Sequence, residues 1–199
     1  LNTRAMAMKA ANERGRKYED MNIIVAHLGG GISINLHEKG RITDIISDDE
    51  GPFSPERAGR VPCRELINLC YEGKYNRDTM QRKLRGNGGL RAYLNTIDAR
   101  EVEKMIHEGS KKAKLVYEAM AYQIAKGIGE LSTVTEGKID LIILTGGIAY
   151  SKMLTDCISK RVSFIAPVEV LAGENEMESL AFGALRVLRG EERAREYRE

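Results

Sequence analysis

One stretch, residues 23–34, restricts the possible folds more than any other. Ile23, Ile24, Val25, Ala26 and Leu28 form a run that is apolar except at His27, the pattern of a strand covered on both faces. Beyond three glycines, Ile32, Ile34 and Leu36 alternate with Ser33, Asn35 and His37, the pattern of a strand with one apolar and one polar face. Gly29, Gly30 and Gly31 then form the tip of a hairpin. Without Cβ atoms the backbone there can take positive φ and bring its N–H groups against an anionic oxygen. His27 stands at the mouth of this tip, within reach of the same anion. The same residues also fit a plain hairpin turn beside a satisfied core histidine. The choice between the two readings rests on glycine loops elsewhere in the chain.

With 199 residues and 42% hydrophobic side chains, the chain can bury a core as one domain. Lysine and arginine (31) nearly balance aspartate and glutamate (29), and no basic stripe is interleaved with aromatics, which argues against a nucleic-acid surface. No apolar run approaches the roughly 20 residues of a membrane span, and the first residues lack a signal-peptide layout. Cys63, Cys70 and Cys157 form no C-x-x-C motif and suit a reducing, cytoplasmic setting. Cys63 and Cys70, seven apart, share a helical face and are expected in the core. The chain opens on Leu1 in a helical stretch, which suggests a piece of a longer polypeptide.

The pattern predicts a helix over residues 1–14 with Ala5, Met8 and Ala11 inward, a polar connector, and a three-stranded antiparallel meander over residues 21–46. Residues 47–61, rich in proline, glycine and charge, read as a long functional loop. Helices follow: from Pro62, after caps at Asn76 and Asp98, and from Ser110 to about residue 135. Gly86, Gly88 and Gly89 read as a break between them. A strand over residues 138–144 runs into the loop from Thr145 through Gly146, Gly147, Ile148, Ala149 and Tyr150 to Ser151, where a helix begins. Strand, glycines and helix N-terminus make a second anion site. Residues 161–165 and 168–171 read as further strand, and a last helix spans residues 177–188. This order suits an α/β fold, the ribonuclease H-like half of an actin-type ATPase: three antiparallel strands, then two parallel ones, with helices on both faces. The expected division is residues 1–20 as a helix and connector, 21–190 as the nucleotide-binding domain and 191–199 as a charged tail.

Phosphoryl transfer needs backbone donors for phosphates, cations for the growing charge and a carboxylate for Mg²⁺. The two glycine loops, the stretch Ser54, Pro55, Glu56, Arg57, Ala58, Gly59, and the triplet Glu174, Asn175, Glu176 supply candidates for each. In this order they resemble the second half of the butyrate kinases, a branch of the acetokinase family within the acetate and sugar kinase, heat-shock chaperone and actin superfamily. The resemblance implies reversible, Mg²⁺-dependent transfer from ATP to a short-chain carboxylate. It gives His27 contact with the transferred phosphoryl group and makes Arg57 a bidentate cation for carboxylate or transition-state oxygens. It places phosphate on Gly29, Gly30 and Gly31, and Mg²⁺ on Glu176. The adenosine-binding loop matches Gly146, Gly147 and Ile148, with Ser151 near the following helix start. Asp98 and Arg100 match an Asp-Phe-Arg triplet of the nucleoside pocket, although the aromatic middle residue is Ala99 here.

Gly-Gly-Gly in place of the acetate branch's Gly-Asn-Gly, and the altered arginine loop, favour the butyrate branch. The resemblance also places an N-terminal phosphate motif, a catalytic aspartate and a first arginine outside this chain. It therefore implies the C-terminal half of a two-domain, homo-oligomeric enzyme, inactive alone. An acetate or propionate kinase, or a non-catalytic nucleotide-binding or oligomerisation module on the same fold, are the alternatives.

Overall fold

The computed structural model describes residues 2–47, 49–174 and 176–194, without the side chains of Glu176 and Glu178. Its centre is a five-stranded sheet of order β3-β2-β1-β4-β5. The strands are β1 (Asn22–Leu28), β2 (Ile32–Glu38), β3 (Arg41–Ile46), β4 (Leu141–Gly146) and β5 (Val168–Ala172). β1, β2 and β3 pair antiparallel, whereas β4 lies parallel to β1 and β5 parallel to β4.

The run from Ile23 to Leu28 is apolar because each strand face meets its own helical layer. Ile24, Ala26 and Leu28, with Ile142 and Leu144, join the core formed with α5 (Ala99–His107), α6 (Lys111–Ser132) and α7 (Lys152–Val162). Ile23, Val25, Leu141 and Ile143 pack on α1 (Asn2–Glu13). α1 approaches through Met6, Ala7, Ala10 and Ala11, and the predicted inward residues Ala5 and Met8 lie at its margin. α1 also covers the face of β2 that the alternation marks as polar. Asn35 and His37 are buried there, and the Tyr18 hydroxyl lies 2.8 Å from His37 Nδ1.

The caps form as read. Asn76 accepts from the Thr79 N–H at the start of α3 (Arg77–Leu84), and Ser110 accepts from the Ala113 N–H at the start of α6. Asp98 accepts from the Arg100 N–H at the start of α5. Three expectations fail. Residues 161–165 are not a strand: Arg161 and Val162 end α7 and a turn follows, because Val162 completes the buried helical stripe of Leu154 and Ile158. The glycines at 86–89 do not merely break the run, since Gly89 opens α4 (Gly89–Leu94). Cys63 and Cys70 share a face of α2 (Cys63–Tyr71) but are exposed, because that helix lies at the surface with none of its residues buried. α8 (Glu176–Leu188) closes the chain against α1, and no described helix is long and apolar enough to cross a membrane.

Candidate functional site

β1 and β4 run parallel side by side, with His27 opposite Thr145, so both glycine loops leave the sheet at the same edge. Open α/β sheets hold their ligands outside the carboxyl ends of such strands. The site is built at this edge from two sides.

On the first side is the triglycine tip. None of Gly29, Gly30 and Gly31 lies in the left-handed region, so glycine is required here for space and not for positive φ. A Cβ at Gly31 would stand 2.8 Å from Arg57 Nε and 2.9 Å from its Cζ: the guanidinium lies flat over this residue. A Cβ at Gly29 would meet the His27 ring at 3.3 Å. The His27 Nδ1 faces Asn2 Oδ1 at 3.4 Å, so the start of α1 flanks the ring. The loop of residues 53–59 is tied down on the tip. Ser54 Oγ donates to the Gly30 carbonyl at 2.6 Å, and the Glu56 N–H donates to the same oxygen at 3.4 Å. Among the described residues no protein acceptor meets the Gly30 and Gly31 N–H groups.

The platform under this arginine loop is a feature that sequence reading missed. Gly89 has φ +56° and its Cβ position is filled by the backbone of Ser54, while a Cβ at Gly88 would run into Ala58. The Leu90 N–H donates to the Ser54 carbonyl at 3.1 Å and the Arg91 N–H to the Pro55 carbonyl at 3.0 Å. The first free donors of α4 are thereby satisfied by the loop that carries Arg57. Arg57 also forms an antiparallel bridge with Arg85. Burial, then the nearby Arg85 guanidinium, hold the Arg57 pKa below the ordinary arginine value.

On the second side is a cavity of about 630 Å³ lined by Ile97, Asp98, Ala99, Arg100, Glu103, Gly147, Ile148, Tyr150 and Ser151. The structure thus gathers into one concavity Asp98, Arg100, Gly147, Ile148 and Ser151, residues up to 53 positions apart in sequence. Asp98 and Arg100 hold each other, Nη2 donating to Oδ2 at 2.6 Å. That ion pair lowers the Asp98 pKa and raises that of Arg100. Ser151 caps α7 by accepting from the Leu154 N–H at 3.0 Å.

Gly146 does not line this cavity. Its φ is +94°, and a Cβ there would press on the backbone of Leu28, so glycine is needed to join the ends of β4 and β1. Gly147 is open instead: its Cβ would face only Glu174 Oε1, at 3.6 Å. Ala99 packs partly against the core while still lining the cavity, and the aromatic ring on the cavity wall is that of Tyr150, 75% exposed. Glu176 opens α8, but its side chain lies outside the described residues. Among the described residues no group of three or more histidine, cysteine, aspartate or glutamate side chains is placed to hold a metal ion.

Residues 3–173 match the sequence profile of the acetokinase family. The fold is similar to that of an acetate kinase from Porphyromonas gingivalis, with a TM-score of 0.85 and 21% identity over 94% of this chain and 54% of that one. It is similar to a propionate kinase from Francisella tularensis subsp. tularensis, with a TM-score of 0.79 and 20% identity over 88% of this chain and 52% of that one. A ROK family protein from Streptococcus pneumoniae shares it more loosely, with a TM-score of 0.59 and 12% identity over 95% of this chain and 65% of that one. The chain spans about half the length of the two solved kinases.

Proposed function

The chain belongs to the acetokinase family, and on that premise we propose that it is the nucleotide-binding half of an ATP-dependent kinase for a short-chain carboxylate. Butyrate is the acceptor we favour, on Gly29, Gly30 and Gly31 and on the form of the loop around Arg57. One observation carries the reading. Two glycine loops leave the carboxyl ends of adjacent parallel strands, one under a guanidinium and the other beside a nucleoside-sized cavity.

In this reading the nucleoside of ATP enters the cavity of Asp98, Arg100, Gly147, Ile148 and Ser151, with Tyr150 available for stacking on the base in place of the family's aromatic. The phosphates run along the sheet edge to the Gly30 and Gly31 N–H groups. A carboxylate is already deprotonated near neutral pH, so the acceptor needs no general base. Its oxygen attacks the γ-phosphorus as the bond to the bridging oxygen of ADP breaks. Arg57 meets the charge on the equatorial oxygens with a planar fork of donors. His27, turned against Gly29, contacts the same phosphoryl group.

Mg²⁺ takes one or two protein carboxylates and fills its shell from substrate phosphates and water. Glu174, beside Gly147, fits that need, and Glu176 is the second carboxylate of the reading. When bound, the ion neutralises charge on the β- and γ-phosphates. We further assign residues 1–20 to the connection with an N-terminal domain that completes the cleft, residues 21–190 to this domain, and residues 191–199 to a charged tail. The reading includes a homo-oligomer in a reducing cytoplasm.

The test is calorimetric titration of the chain with Mg-ATP and Mg-ADP, beside Gly147→Val. Gly147 has ordinary backbone angles and open space at its Cβ, so valine leaves the fold intact and fills the cavity mouth. Saturable binding to the wild type, weakened at least about tenfold in the variant, is expected. No binding to the folded wild-type chain overturns the proposal. Acyl phosphate formation from acetate, propionate and butyrate, with the N-terminal half present, decides the acceptor.

A further inference from the structure

The cavity contains one carboxylate that the sequence reading did not assign, Glu103. Its surroundings can be counted atom by atom. The Ser151 hydroxyl has one hydrogen to donate and two lone pairs to accept with. It donates to Glu103 Oε1, accepts from the Leu154 N–H at 3.0 Å, and accepts from the Tyr117 hydroxyl at 2.9 Å. Its capacity is then used up inside the protein. Tyr117 is buried and also lies 3.3 Å from Glu103 Oε1. The Ser151 proton therefore holds one carboxylate oxygen, with the Tyr117 hydroxyl, whose single proton goes to Ser151, braced beside it, while among the described residues no donor meets the other, Oε2. Asp98, the second carboxylate on the wall, has both oxygens engaged by Arg100.

We propose that Glu103 is the nucleoside-recognising acceptor of this cavity, presenting Oε2 to an N–H or O–H donor of the ligand, with Ser151 and Tyr117 as the bracket that positions it. The inference rests on the nucleotide reading above and deepens it. A carboxylate repels phosphates, so it also fixes the sense of entry. The donor-bearing nucleoside lies at Glu103, and the phosphates point to the glycine tips and Arg57, where backbone N–H groups and a guanidinium gather. Tyr117 and Ser151 are positioning residues in this arrangement. Burial raises the Tyr117 pKa, which keeps its hydroxyl a donor across the physiological range.

The donor is a ribose hydroxyl or an exocyclic amino group, and analogue binding separates the two. The chain is titrated with ADP, 2′-deoxy-ADP, 3′-deoxy-ADP and IDP, which lacks the 6-amino group. Wild type, Glu103→Gln, Glu103→Ala and Tyr117→Phe are compared, each checked for its thermal midpoint. Glu103→Gln keeps the shape and turns the ligand-facing acceptor into a donor. We expect the wild type to prefer ADP over one of the analogues by about tenfold, the worth of a hydrogen bond to a charged group. That preference falls to near unity in both Glu103 variants, and Tyr117→Phe reduces it by about threefold. An identical analogue profile in wild type and folded Glu103→Gln overturns the proposal while leaving the nucleotide reading intact. Wild-type chain that binds none of the four overturns both.

Discussion

At the scale of single residues, Gly31 and Gly146 demand glycine for different reasons, and substitution separates them. The space at Gly31 is taken by the end of a flexible side chain, Arg57. Gly31→Ala moves the guanidinium and leaves the backbone alone. Stability is expected to change by less than about 1 kcal/mol, whereas phosphoryl transfer in the completed enzyme falls roughly 100-fold because the cation is displaced from the transferred group. At Gly146 the obstacle is the backbone of Leu28 and φ is +94°, so Gly146→Ala is expected to lower the thermal midpoint by several degrees. Denaturant unfolding and an acyl-hydroxamate assay on both variants check the contrast. His37 carries a second residue-scale prediction. Burial, then the nearby Arg4 charge, press its pKa from 6.5 down to about 4, so it stays neutral in the fold. Between those values the unfolded chain binds the proton and the folded chain does not. Stability is therefore complete above pH 6.5 and is lost as pH falls toward 4, by up to about 3 kcal/mol. His37→Gln is expected to flatten that part of the profile in urea titrations.

At the scale of elements, α6 shows what a glycine does inside a helix when its surroundings differ. A Cβ at Gly127 would meet Ile34 Cδ1 at 2.5 Å and Ile46 Cδ1 at 3.3 Å, because the helix lies directly on β2 and β3 there. Two residues on, nothing lies within 4 Å of a Cβ at Gly129. Gly129→Ala is expected to stabilise the protein by about 0.5–1 kcal/mol through helix propensity, and Gly127→Ala to destabilise it by about 1–3 kcal/mol through overpacking. Chemical denaturation of the two variants reads the difference. Such signals also mark how far elements were legible. β1 follows from its continuous apolar run, β2 from its period of two and the hairpin from the glycines between them, and the caps at Asn76, Asp98, Ser110 and Ser151 all form because a short polar side chain at a helix start is a local signal. α4 was not legible. Gly88 and Gly89 look like breakers, and only the loop that crosses them supplies the carbonyls that make a helix start there. Residues 161–165 carry β-branched and aromatic side chains, yet Val162 is decided by packing against the sheet.

At the scale of the whole molecule, the order of strands and helices put each glycine loop after a strand of the same sheet, and the parallel pairing of β1 with β4 brings the two loops to one edge. The contacts that complete the proposed nucleoside cavity were not legible in this way. Glu103, Tyr117 and Ser151 are separated by 14 and 34 positions and meet only after α5, α6 and α7 have packed. The other side of the cleft stands differently. In the proposed reading Arg57, His27 and the Gly30 and Gly31 N–H groups serve the phosphoryl end, and this chain spans only about half the length of the solved kinases that share its fold. Phosphoryl transfer is catalysed mainly by positioning and by charge, and orientation alone accounts for roughly 10⁵ or more of a rate. If the proposal holds, nucleotide binding draws on the cavity that this chain builds by itself, whereas transfer requires an acceptor held in line on the opposite wall. The two activities should therefore separate. The chain alone is expected to bind Mg-ADP yet to form acyl phosphate at less than about 1% of the rate reached when it is joined to an N-terminal half. Arg57→Ala should then abolish the restored rate while leaving the Mg-ADP affinity within about threefold, because the guanidinium acts on the transferred group and not on the nucleoside. Hydroxamate formation measured beside calorimetry on the same preparations distinguishes this from a cleft that this chain completes alone, which would turn over without its partner half.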